Sequence, residues 1–84
     1  MKIKKTNEKI TYLKKTTEHS FEVEGKEVRV YEHYIDSADG EYDADQEINE
    51  KDLATLTDEE REVFGEDLQA WLDLKVGEDT IVEN

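Results

Sequence analysis

Apolar and polar residues alternate through the first half of the chain and then recur at helical spacing in the last third. In KITYLKKTTEHSFEVEGKEVRVYEHYI β-branched and aromatic residues alternate with polar ones, the period-2 pattern of half-buried strands. Within it, FEVEGKEVRV predicts a hairpin. Placing Gly25 and Lys26 in a type II′ turn sets Val23 against Val28, Phe21 against Val30 and Glu22 against Arg29, with Glu24 facing Glu27 beside the turn. The alternative, with Glu24 and Gly25 in the loop, sets Val23 against Lys26 and matches the faces less well. Beyond Val30 the apolar set shifts to Tyr31, His33 and Ile35, which predicts a bulge, or else an exposed aromatic strip. A preceding strand over 9–16, with Ile10 and Tyr12 on one face, completes a three-stranded antiparallel meander.

After Ile48 the signals become helical. Asn49 is placed to cap a short helix, with Asp52 in its first turn and Ile48 and Leu53 spaced as a hydrophobic staple. Thr57 followed by Glu60 fits a capping box, and Phe64, Leu68, Trp71 and Leu72 then recur at i, i+4, i+7 and i+8. The expected helix runs over 57–76 with Gly77 as its C-cap, and residues 80–82 leave room for a short last strand. The fold class is therefore α+β: a small antiparallel sheet of about three strands packed against one main amphipathic helix, itself preceded by a short one. Asp36 to Gly40 reads as a turn.

The 84 residues lack proline, a Gly/Ser-rich linker or an internal repeat, which predicts one domain over 1–84 with a thin core. Cysteine is absent, and Ile3 is followed by polar residues rather than the apolar run of a signal peptide. A cytoplasmic location is expected, in the host cytoplasm if a phage encodes the chain. The formal charge of −13 changes the picture most, because it is unevenly placed. Residues 1–35 carry eight Lys/Arg against six Asp/Glu, or +2, whereas residues 36–84 carry three against eighteen, or −15. Such a chain opposes the electrostatics that drive binding to nucleic acid or to an anionic membrane. A basic, nucleic-acid-binding protein is the expected partner.

Catalytic chemistry finds little support. There is no cysteine, no serine elbow, no glycine-rich phosphate loop, and the histidines His19 and His33 read as satisfied surface residues of strands. Neither calcium-loop frame fits: Gly40 in the sixth position puts Ile35 first, and Asp43 in the first puts Ile48 where glycine belongs. No enzyme activity, cofactor or metal is expected.

Two rows of acids remain. If extended, Glu41, Asp43, Asp45 and Glu47 project from one side at roughly 6.6–6.8 Å intervals, twice the strand rise. On the main helix Glu59, Glu62, Glu66 and Asp73 share a polar stripe with Asp67 beside it. Carboxylates so arranged can stand in for phosphates against Lys and Arg of a DNA- or RNA-handling protein, with Tyr42 and Tyr31 adding short-range contact. Small acidic inhibitors of restriction and CRISPR nucleases and of DNA-repair enzymes, carried by phages and other mobile elements, are similar to this chain in size and charge, with no shared motif. The expected function is a nucleic-acid mimic that occludes a basic groove. The alternative is an acidic adaptor or assembly subunit that binds through a sheet edge or the Tyr31/His33 strip, its charge serving solubility.

Overall fold

The computed structural model describes residues 1–10, 16–36 and 42–82, and at residues 35, 36 and 42–44 the backbone path alone. Five strands form one antiparallel sheet: β1 (Lys2–Ile10), β2 (Thr16–Val23), β3 (Lys26–Asp36), β4 (Tyr42–Ile48) and β5 (Asp79–Ile81). Their spatial order is β4-β3-β2-β1-β5. Between β4 and β5 the chain forms α1 (Glu50–Leu53), α2 (Asp58–Glu66) and α3 (Leu68–Leu72). The α+β class holds and β5 fills the place left for a short last strand, but among the described residues the sheet has β4 as a further strand, and the main helix is divided.

The first strand is Lys2–Ile10, not 9–16. Its lysine-rich sequence conceals a buried position: Ile3 and Lys5 face the core opposite Val23 and Phe21, and the register shifts between Lys5 and Asn7. The extra residue turns Glu8 rather than Asn7 to the side of His19. Residues 11–15, with Tyr12, lie outside the described residues, as do 37–40 of the expected turn.

The hairpin takes the register that alternation alone disfavoured. Val23 pairs with Lys26, Glu22 with Glu27 and Phe21 with Val28, and the loop is Glu24–Gly25. Both loop residues have positive φ, 50° and 77°, the type I′ geometry whose twist matches that of the strands. β1 explains the choice, since Glu24 N–H donates to the Lys2 carbonyl and the Glu24 carboxylate accepts from Lys2 N–H at 2.8 Å. The like-charge pair Glu22–Glu27 lies on the face away from the core, where Lys4 sits directly across from Glu22. No bulge interrupts β3 beyond Val30: its register with β2 and β4 is continuous, so Tyr31 and His33 belong to the face opposite the core.

The core lies between one sheet face and the helices, and comprises Ile3, Phe21, Val23, Val28, Val30, Leu56, Phe64, Trp71 and Leu72. Asn49 and the Thr57–Glu60 capping box start α1 and α2 as the sequence implies. The expected 57–76 helix breaks at Asp67 (φ −132°, ψ 46°), two residues after Gly65, and ends at Leu72. Trp71 Nε1 donates to the Phe64 carbonyl at 2.9 Å, meeting one of the acceptors that the break would otherwise leave unsatisfied. The apolar stripe therefore stays buried through the break. Gly77 (φ 94°) does not cap the helix; it lies in the turn before β5 and donates to the Lys5 carbonyl. Among the described residues no helix is long and apolar enough to cross a membrane.

Candidate partner-binding surface

β4 is extended, as the first acidic row requires, and it forms one edge of the sheet. Its register sets Glu47 against Tyr31 and Asp45 against His33, on the face opposite the helices, and pairs the backbone of Asp43 with that of Ile35. Tyr42 pairs with Asp36 and belongs to the other set of positions, so it does not extend the row. Glu41 lies outside the described residues. The Glu47 carboxylate is 67% exposed with Oε2 3.3 Å from His33 Nε2, and Asp45 is exposed. The Tyr31 and His33 rings stack with centroids 6.4 Å apart, and Asn49 Nδ2 donates to the Tyr31 hydroxyl at 3.2 Å. The strip between β3 and β4 is thus half-buried and held in place.

The second row is divided by the break at Asp67. Glu59, Glu62 and Glu66 are exposed on α2, while Asp73 follows α3 and accepts from Gln69 Nε2 at 3.0 Å. Because the helices pack on the core face, the two rows lie on opposite sides of the sheet and do not merge into one surface. They approach at the β4 edge, where Gln46 Nε2 donates to Gln69 Oε1 at 2.7 Å.

Several basic residues are spent on other acids. Lys26 pairs with Glu60 at 2.7 Å, Arg29 with Asp52 at 2.8 Å, Lys2 with Asp79 at 3.6 Å, and Arg61 with Asp58. The Lys26 ammonium holds the Glu60 carboxyl below its ordinary range, and the Arg29 guanidinium does the same for Asp52. By contrast, among the described residues Asp45, Glu62, Glu66 and Asp67 enter no ion pair.

One cluster escaped the sequence reading. His19 is buried, not a surface residue: Nδ1 lies 3.2 Å from Glu8 Oε1 and Nε2 3.5 Å from Glu32 Oε1, without hydrogen-bond geometry at either nitrogen. Lys5 beside it is 1% exposed and donates from Nζ to Glu8 Oε1 and to the Leu72 carbonyl, both at 2.9 Å. The Tyr34 hydroxyl donates to Glu32 at 2.7 Å. Burial and then the Lys5 charge push the His19 pKa below its usual value, and the hydrogen bond to Glu32 raises that of Tyr34. His19 shares the core face of β2 with Phe21 and Val23, an alternation visible in the sequence, whereas the bulge in β1 that brings Glu8 to it leaves no mark there. Among the described residues no group of three or more Asp, Glu or His is arranged to hold a metal ion. No family model, curated protein or solved structure matches this chain.

Proposed function

We propose that this protein is a small acidic binding protein, a nucleic-acid mimic whose carboxylates occupy the basic groove of a DNA- or RNA-binding protein or nuclease and so block its substrate. One observation supports this most directly: the fold spends Lys26, Arg29, Lys2 and Arg61 on other acids, and among the described residues Asp45 on β4 and Glu62, Glu66 and Asp67 on the helices enter no ion pair. Crowded like charge destabilises a small domain, so a partner that neutralises it gains attraction at long range and charge-assisted contacts at short range. Competitive occlusion needs no catalytic group in this chain.

The test is capture of partners on the immobilised protein from the lysate of a host cell, with elution in salt steps and with competing DNA or RNA. Nucleic-acid-binding proteins released by both are the expected result, and the variant Asp43→Asn/Asp45→Asn/Glu47→Gln captures less while keeping its circular dichroism. Partners that resist salt and nucleic acid, or equal capture by the variant, sink the mimic reading. The stacked Tyr31–His33 pair favours a second reading, an adaptor that binds through this strip. Its complex would survive high salt, because it rests on apolar and aromatic contact.

A further inference from the structure

The two spare edges at this side of the sheet are treated differently. β3 runs past the end of β4, and there its outward groups are met: the Arg29 carbonyl accepts from Asn49 N–H at 2.9 Å and the Arg29 N–H donates to Asp52 Oδ2 at 3.1 Å. The outer edge of β4 has no such cover among the described residues. Since Asn49 N–H bonds to the Arg29 carbonyl, antiparallel alternation makes Tyr31–Glu47, His33–Asp45 and Ile35–Asp43 the hydrogen-bonded pairs. The backbone N–H and C=O groups of Ala44, Gln46 and Ile48 then point away from the sheet. β4 is a seven-residue strand with no proline, no glycine and no register shift, a ready template for a sixth strand.

We infer that β4 binds its partner by strand addition, and that the added strand carries Lys or Arg at alternate positions. Main-chain bonds to Ala44, Gln46 and Ile48 would supply the pairing. Residues of the added strand on the open face would lie directly across from Asp45 and Glu47, with the same two-residue period, so one basic side chain meets each carboxylate. On the other face Asp73, one hydrogen bond from Gln69 and two from Gln46, offers a further anion near the edge. A second copy of the chain is a poor occupant, because β4 against β4 would set acidic rows side by side. Charge complementarity therefore selects a basic strand. The inference rests on the proposed basic partner and adds the mode of contact.

The probe is a nine-residue peptide of alternating lysine and valine, compared with a peptide of the same sequence N-methylated at alternate amides, which keeps the charge and removes one edge of hydrogen bonds. Binding is followed by amide NMR and hydrogen exchange on the intact protein. The unmethylated peptide is expected to protect the amides of Ala44, Gln46 and Ile48 and to bind roughly tenfold or more tightly than its methylated counterpart. In Ala44→Pro, which removes one outward N–H and retains every carboxylate, that difference is expected to shrink. Hydrogen exchange of β2 and β3 shows whether this variant keeps its fold, and Gln46→Pro offers a second site. Equal affinity of the two peptides, or absence of protection at the three amides, overturns strand addition; groove occlusion by charge then stands or falls on the capture experiment alone. Concentration-dependent protection of the same amides without peptide would make a second copy the occupant and overturn it equally.

Discussion

The substitution Lys5→Met tests whether a buried lysine holds this fold together or burdens it. Methionine keeps an unbranched apolar stem against Phe21, whose ring centroid lies 5.9 Å from Nζ, exchanges one methylene for sulfur and removes the ammonium. Leu72 ends α3, so its carbonyl lacks a helical amide donor and takes Lys5 Nζ instead. Losing a charged hydrogen bond to a buried acceptor costs about 1.5–3 kcal/mol. The partner Glu8 is 46% exposed and rehydrates, so the ion pair adds less than about 1 kcal/mol. Against these stands relief of the ammonium's desolvation, which in some proteins outweighs a buried pair. Here the stranded carbonyl decides, for a net loss of about 2 kcal/mol, or about 2 M in urea midpoint at a slope near 1 kcal/mol/M. Urea titration read by Trp71 fluorescence measures it. Glu8→Gln should move the midpoint less than half as far, and NMR titration of Lys5→Met should show the His19 pKa raised, because Lys5 is one of the causes that lower it. A midpoint equal to or above that of the parent protein refutes the reasoning.

Stability should fall in two steps on acidification, measured by urea midpoint against pH. The folded-state pKa of His19, facing Lys5, Glu8 and Glu32, lies below its usual 6.5, so below that pH the unfolded chain takes the proton more readily and stability is lost until the folded pKa is passed; His19→Gln should abolish this upper step. Glu8 and Glu60, lowered from 4.5, and Asp52, lowered from 3.8, contribute stability that disappears as pH falls through their folded values, giving the lower step. Phe64→Ala, at a fully buried site in edge contact with Phe21 and stacked on Trp71, should cost about 3–5 kcal/mol and abolish the near-ultraviolet circular dichroism of Trp71. Gly25→Ala places a β-carbon at φ 77° and should cost about 1–2 kcal/mol in thermal unfolding, although open space surrounds the position.

Local rules made most of the scaffold legible: the period of β2 and β3, the Asn49 and Thr57 caps, and the Phe64–Leu72 stripe. They failed where a third element decides. The hairpin register follows from bonds between Glu24 and Lys2, a strand that the alternation argument had not found because β1 looks polar throughout. Likewise Glu8 rather than Asn7 reaches the side of buried His19 through a one-residue register shift in β1, which no composition window can register. Of the candidate site, the alternation of Asp43, Asp45 and Glu47 makes a row only if the segment is extended, and β4 meets that condition. The alternation could not show that the strand is an edge, nor that the helix acids lie across the sheet from it, because both depend on strand order.

That order also separates charge in space. Lys4 and Lys9 of β1, which enter no ion pair among the described residues, stand three strands from Asp45 and Glu47 of β4, roughly 14 Å at the usual strand spacing. The sheet is therefore polarised across its strands. In the field of a basic partner it experiences a torque as well as a pull, and at physiological ionic strength this acts over about the last 8 Å of approach. The protein would arrive already turned, with the β4 edge leading, before any side chain touches.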